Sequence, residues 1–358
     1  MTAAYVALEG GHVIEGRGRA PGTARGELVF TTAYTGYEES LTDPSYEEQV
    51  LTFSYPLIGN YGVREERFED DRAHPRAVLS RELTDDVADW LESEGVPAMD
   101  HLDTREVVTD IRDEGAMKCG IAVGEDATEE DALAELEACK EMSEHTEIGA
   151  QVSVDDVEVH GADNDGATVA LVDCGAKGSI LDSLLERDAE VHVLPYDAGV
   201  EDVAAVDPDV LFVSNGPGDP VNFEETIELV EESVGEVPIA GICLGQQIVA
   251  EALGGSTEKM TFGHRGVNQP VLDLESDRVV MTTQNHGYAV AEPGEHLEVT
   301  QINVNDDTPE GLDGIDHDIL TRQYHPEANP GPEDTLDFFD DVLAMAGHHS
   351  QRAVPADD

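Results

Sequence analysis

The stretch Gly241-Ile242-Cys243-Leu244-Gly245-Gln246-Gln247 decides how this chain folds. It follows the apolar run Val237-Pro238-Ile239-Ala240, which reads as a buried strand. It precedes Ile248-Val249-Ala250-Glu251-Ala252-Leu253, which has helical composition and stops at Gly254-Gly255. Cys243 therefore falls on a sharp strand-to-helix turn. Glycine stands two residues to either side because the backbone is tight there and a Cβ would clash. This is a nucleophile elbow with cysteine in place of serine. A thiol at the start of a helix meets unpaired N–H groups and the positive end of the helix dipole, the setting that makes a cysteine a nucleophile. Most buried cysteines are inert apolar side chains; the paired glycines between a strand and a helix favour the nucleophile.

Working back from this turn, strands alternate with helices: strand 168–172, helix 180–187, strands 190–194 and 210–213, then helix 224–234. Apolar strands separated by helices predict a parallel sheet covered on both faces, with a site at the carboxyl ends of the strands. The polar stretch Gly161 to Gly166 reads as a linker. Ahead of it the pattern differs. Residues 1 to about 70 read as short strands (5–8, 13–14, 27–32), with a turn at Gly10-Gly11 and a loop rich in Gly, Arg and Pro. Helices follow over 85–93, after Thr84, and over 105–114. A third starts at the capping box Thr128-Glu129-Glu130-Asp131 and carries Leu133, Leu136 and Met142. The expected fold is α/β: a smaller mixed domain over 1–150, a linker over 151–166, an α/β domain with a mostly parallel sheet over 167–347, and a disordered tail over 348–358.

Among the 358 residues, 79 are acidic and 19 basic, a formal net charge of −60. The acid excess is spread along the whole chain, so it belongs to the surface everywhere. Such a surface repels nucleic acid and anionic membranes. It also repels itself, and at about 1 M salt, where the Debye length is roughly 3 Å, that penalty largely vanishes. The composition thus points to a salt-rich cytoplasm. Cys119, Cys139, Cys174 and Cys243 have no CxxC spacing and read as reduced thiols inside a cell. No signal peptide and no membrane-length apolar run is found, so the expected location is cytoplasmic.

Two more stretches gather around the elbow. After strand 210–213 comes Ser214-Asn215-Gly216-Pro217-Gly218-Asp219-Pro220, where backbone N–H groups are open to a ligand. The N–H of Gly216 is placed to join that of Leu244 in an oxyanion hole. Near the end lies Gln323-Tyr324-His325-Pro326-Glu327. Residues two apart in extended backbone point the same way, so Glu327 can orient His325 while the imidazole serves the thiol as base and then acid.

These three stretches, in this order, resemble the triad class of glutamine amidotransferases. Thr35-Gly36-Tyr37-Glu38-Glu39-Ser40-Leu41-Thr42-Asp43-Pro44-Ser45-Tyr46 narrows the resemblance to the small, glutamine-hydrolysing subunit of carbamoyl-phosphate synthetase. So do Asp103-Thr104-Arg105, Ile111-Arg112 and Gly115-Ala116-Met117. The resemblance implies that Cys243 is the nucleophile, His325 the acid/base and Glu327 its orienter. It implies L-glutamine contacts at Ser45, Gly216, Gly218, Leu244, Gln247, Asn285, Gly287 and Tyr288, the last three in a segment read as a polar turn after the strand-like Val279-Val280-Met281. The chain departs from the family at Gln246, where His is frequent, at Tyr288, where Phe is common, and at Gln269, where His is usual. Cys174 reads as a buried strand-end cysteine.

No Gly-x-x-x-x-Gly-Lys-Ser/Thr loop is present, and no metal or cofactor is expected on this chain. The resemblance implies a large synthetase subunit that binds ATP and Mg and uses bicarbonate to make carbamoyl phosphate for arginine and pyrimidine synthesis. The alternatives are an amidotransferase serving guanylate or anthranilate synthesis, a silent glutamine-binding regulator and a thiol peptidase. Segments 35–46 and 103–117 disfavour the first and the last, and the intact triad disfavours the second.

Overall fold

The structure, a computed structural model, describes residues 2–353, with side chains through residue 347. Two compact units emerge: the chain up to His145 together with Met260–Gly266, and Thr146–Lys259 together with the chain from Val267 onward.

In the first unit the strands are β1 (Ala3–Leu8), β2 (Val13–Ala20), β3 (Gly22–Thr31), β4 (Gln49–Phe53), β5 (Ala77–Leu79), β6 (Ala98–Asp100) and β7 (Met117–Gly124). They close into a barrel in the order β1-β2-β6-β5-β4-β3-β7. Neighbours β3, β4, β5 and β6 run parallel, and the remaining pairs are antiparallel. The helices are α1 (Tyr37–Leu41), α2 (Asp85–Ser93), α3 (Thr104–Glu114) and α4 (Glu129–Ala138). Alternate strand residues divide between two cores, as the period of two requires. Val6, Leu28, Val50 and Ile121 pack with Val107 and Ile111 of α3. Val29, Leu51, Val78 and Ala98 pack with Tyr37 and Leu41 of α1 and with Val87 and Leu91 of α2.

The Gly/Arg/Pro-rich segment expected as a loop is strand instead. Its glycines answer to close packing: a Cβ on Gly16 would lie 2.8 Å from the Asp100 carbonyl oxygen on β6. Two of its arginines share one buried carboxylate. Arg17 grips Asp100 with two bonds of 2.8 and 2.7 Å, and Arg19 adds a third at 2.9 Å. The third helix ends at Ala138, so Met142 falls on a separate 3-10 turn, and Leu133 is exposed.

In the second unit α5 (Gly149–Val152), which straddles the expected start of the linker, and β8 (Glu158–His160), which lies inside it, come first. The reason is pairing: β8 hydrogen-bonds as an antiparallel edge to β10 (Glu190–Pro195). The other elements are β9 (Thr168–Asp173), α6 (Gly178–Leu185), α7 (Val200–Val206), β11 (Val210–Val213), α8 (Glu224–Ser233), β12 (Ile239–Ile242) and α9 (Leu244–Ala252). After them come β13 (Ser256–Asp273), β14 (Arg278–Glu292), β15 (Leu297–Asn303), β16 (Pro309–Gly314), β17 (Ile319–Arg322) and α10 (Asp337–Ala353). The sheet has 10 strands in the order β14-β13-β15-β16-β17-β12-β11-β9-β10-β8. Its centre, β10-β9-β11-β12-β17, is parallel, whereas the flanking pairs β8/β10, β13/β15, β15/β16 and β16/β17 are antiparallel. The expectation of a mostly parallel sheet thus describes the centre only.

Val169, Leu171, Val210, Phe212 and Ile242 share a core with Ile180 and Leu184 of α6 and Phe338 and Phe339 of α10. The alternate residues Ala170, Val172, Leu211, Val213 and Ile239 are also fully buried, so the central sheet is covered on both faces. Helix α10 continues through Ala353, into the segment expected as a disordered tail, and residues 354–358 lie outside the described part. No helix among the described residues is long and apolar enough to cross a membrane.

Candidate active site

At the end of β12 the chain turns into α9 within one residue, and Cys243 takes φ 54° and ψ −104°. A positive φ strains any residue with a Cβ. The flanking glycines show why the turn is so tight. A Cβ on Gly245 would lie 2.2 Å from the Val213 carbonyl oxygen at the end of β11, and one on Gly241 would lie 2.8 Å from the Gly245 carbonyl carbon. The Cys243 N–H bonds the Arg322 carbonyl at 2.7 Å, which ties the elbow to the end of the neighbouring parallel strand β17. The thiol itself lies 3.7 Å from the Asn285 carbonyl oxygen on β14.

β17 ends at Arg322, and the chain beyond it brings His325 and Glu327 into the same layer. His325 is fixed by its N–H bond of 2.9 Å to the Thr283 carbonyl. Its Nδ1 is 2.6 Å from Glu327 Oε1, as expected of residues two apart. Its Nε2 is buried and has no hydrogen-bond partner among the described residues. Burial opposes the imidazolium, but Glu327, and after it the Cys243 thiol, outweighs burial and raises the His325 pKa to about 10. Burial likewise opposes the Glu327 carboxylate, but Lys177, followed by His325, lowers its pKa to about 2.

Lys177 was not singled out by the sequence. It lies after the carboxyl end of β9, is buried, and its Nζ donates to Glu327 Oε1 at 2.9 Å and to the Asn329 carbonyl. Its own N–H bonds Asn215 Oδ1 at 3.1 Å, after β11. Four strand ends therefore meet around one histidine. The available signal was a rare lysine, one of four in an acidic chain, just past a strand end in the sheet that carries the elbow.

The other predicted residues fall as follows. Gly216 abuts the elbow: a Cβ there would be 2.8 Å from Leu244 Cδ2 and 2.0 Å from the Cys174 carbonyl oxygen. Leu244 is the first residue of α9, where N–H groups have no partner within the helix. Gly218 lies in the same loop as Gly216, at φ 91°. Asn285, Gly287 and Tyr288 are on β14, which is continuous through Glu292, so the expected polar turn is strand. The polar side chains misled: Gln284 donates to the buried Glu310 at 2.8 Å, and Asn303 does the same. Tyr288 hydrogen-bonds Asp219, whose pKa burial nonetheless keeps raised. Gln246 is fully buried, with its Nε2 3.3 Å from the Pro309 carbonyl. Ser45 belongs to the first unit, on a 3-10 turn where Asp43 accepts its N–H at 2.9 Å. Cys174 is fully buried, and burial pushes its thiol pKa up.

Residues 170–345 match the family of class I glutamine amidotransferases, and residues 6–121 match the CPSase domain of the carbamoyl-phosphate synthase small chain. The chain is 71% identical over 346 residues to the carbamoyl phosphate synthase small chain of Halobacterium salinarum, covering 97% of each chain. It is 41% identical to that of Methanocaldococcus jannaschii, covering 96% of this chain and 98% of the relative. Among solved structures, a putative GMP synthase protein from Thermoplasma acidophilum covers 52% of this chain and is itself covered to 97%, at 18% identity and a TM-score of 0.47.

Proposed function

We infer the function from the premise that this chain belongs to the family of carbamoyl phosphate synthase small chains, to which its full-length likeness assigns it. It is the glutamine amidotransferase subunit of that enzyme, hydrolysing glutamine to supply nitrogen for carbamoyl phosphate. Its large-chain partner performs the synthesis that feeds the arginine and pyrimidine pathways.

In the proposed mechanism the proton of the Cys243 thiol already rests on His325 Nε2, as the raised proton affinity of that ring requires, and the sulfur attacks the side-chain amide carbon of glutamine. N–H groups of Leu244 and Gly216 receive the developing oxyanion; removing one such donor typically costs an enzyme about 3–4 kcal/mol of transition-state stabilisation. As the C–N bond breaks, His325 returns the proton to the leaving nitrogen, and ammonia departs. The glutamyl thioester then meets water. His325 takes a proton from the water, hydroxide adds to the carbonyl carbon, and the C–S bond breaks to give glutamate and, as at the start, the deprotonated Cys243 sulfur beside protonated His325. Glutamine would be held by Gly216, Gly218, Leu244, Gln247, Asn285, Gly287 and Tyr288. ATP and Mg belong to the large chain, which would take the ammonia directly, because ammonia released into neutral water protonates and is no longer nucleophilic.

The observation that carries this reading is the charge chain Lys177, Glu327, His325, whose unpartnered Nε2 sits by the strained Cys243 elbow. The test is ammonia release from glutamine in molar potassium chloride, with and without the large chain. Release that vanishes in Cys243→Ala and rises with the large chain supports the mechanism. Undiminished release by Cys243→Ala refutes it.

A further inference from the structure

Gln247 lies one helical turn beyond Cys243, its N–H 3.3 Å from the Cys243 carbonyl oxygen, and its side-chain amide has a fixed sense. Nε2 is 2.8 Å from the Tyr288 carbonyl oxygen, and a carbonyl only accepts, so the atom facing Tyr288 is the nitrogen. The second N–H goes to Gln323 Oε1 at 3.1 Å. Both donors of the amide are then used. Oε1 of Gln247, which has no protein partner among the described residues, is the atom left for a ligand.

Gln323 is fully buried just past β17, its N–H 2.9 Å from the Glu310 carbonyl oxygen. Its own Nε2 is buried without a partner among the described residues. A buried unpaired amide nitrogen is costly, and an apolar side chain of the same size would avoid the cost. What the glutamine adds is one acceptor, aimed at Gln247.

We infer that Gln323 is a positioning residue for substrate recognition. It holds Gln247 so that the site offers an acceptor, Oε1, and so selects a ligand with an N–H donor at that place, the α-ammonium group of glutamine. The inference rests on the glutaminase reading above and deepens it.

The experiment compares ammonia release from L-glutamine and from glutaramate, which has the same amide and carboxylate but no ammonium group, using the complex of small and large chains. In Gln247→Met, the preference for glutamine falls roughly tenfold or more, the usual effect of losing a hydrogen bond to a charged group. Gln323→Met gives a comparable fall, mainly through KM, and the double variant falls no further than Gln247→Met alone, because both changes remove the same interaction. Gln323→Glu keeps an acceptor at the same place and keeps the preference. If Gln247→Met leaves the preference intact, the assignment of Gln247 to the substrate fails. If Gln247→Met lowers it but Gln323→Met does not, or if the double variant falls by the product of the two, the positioning role fails. Should Gln323→Met not fold, Gln323→Glu decides: a lost preference in that variant overturns the inference.

Discussion

Lys177 Nζ and His325 Nδ1 converge on one oxygen, Oε1 of Glu327, at 2.9 and 2.6 Å. With all three side chains buried, neither cation is a surface ornament. Removing one partner of a buried ion pair costs about 3–5 kcal/mol, because the other charge is stranded. Lys177→Met is therefore expected to lower the melting temperature and to cut glutamine hydrolysis by roughly a hundredfold or more through misplacement of Glu327 and His325. Near-native hydrolysis and stability in that variant would show that His325 is oriented without the lysine.

Glu327 is the main group holding the His325 proton affinity up against burial. In Glu327→Gln the imidazole pKa should drop well below its native position, which an NMR titration of the ring reads directly. The folded pKa of His325 is raised, so its contribution to stability is complete below about pH 6.5 and is lost as pH rises toward 10. That of Glu327 is depressed, so its contribution is complete above about pH 4.5 and is lost as pH falls toward 2. Denaturation midpoints measured across pH should show a larger alkaline loss in the native protein than in Glu327→Gln.

Cys243 adopts a left-handed backbone, at φ 54°, that suits glycine. Replacing it with glycine should abolish ammonia release and yet stabilise the fold by about 1 kcal/mol, strain relief of about 1–3 kcal/mol less the extra chain entropy glycine brings. Calorimetry of Cys243→Gly beside Cys243→Ala separates the two effects, since alanine removes the thiol but keeps the strain. Equal melting temperatures would mean that the elbow is not strained.

What the sequence made legible here was local. Gly241, Cys243 and Gly245 announce the elbow because a tight turn leaves a compositional mark, and His325 with Glu327 obeys the two-residue alternation of extended chain. Lys177 reaches its carboxylate across 150 positions, a separation no spacing rule covers. The same limit hid the barrel. Gly16, Arg17 and Arg19 look like loop until Asp100, far along the chain, supplies the backbone contact and the counter-charge. β14 was misread at its polar half because Gln284 and Asn285 look like turn residues, and only the buried Glu310 explains a glutamine inside a sheet. Strand β8 escaped because a short, exposed edge strand has almost no apolar pattern of its own.

His74 is fully buried between two carboxylates, Nδ1 2.9 Å from Glu47 Oε2 and Nε2 2.6 Å from Asp70 Oδ2, so both ring nitrogens donate and the ring is cationic. Burial opposes this charge, but Asp70 and Glu47 outweigh it and raise the pKa. The contribution to stability is then full below about pH 6.5 and is lost as pH rises through the raised value. His74→Gln, which cannot take the charge, should destabilise the protein more at pH 6 than at pH 10. A penalty independent of pH would show a neutral ring.

Salt decides whether the net charge of −60 is tolerable. Roughly 1 M salt shortens the Debye length to about 3 Å, so that neighbouring surface carboxylates scarcely interact, whereas at about 0.1 M the length is about 10 Å and many repel at once. The buried pair Lys177–Glu327 responds differently, because it lies out of reach of mobile ions. Stability should therefore rise steeply with potassium chloride up to the molar range, while the loss caused by Lys177→Met stays nearly constant across that range. Melting curves of both proteins from 0.1 to 2 M salt provide the check. A native protein equally stable in dilute buffer would mean that its acidic surface is neutralised by something other than screening, and a Lys177→Met deficit that shrinks with salt would place that pair in contact with solvent.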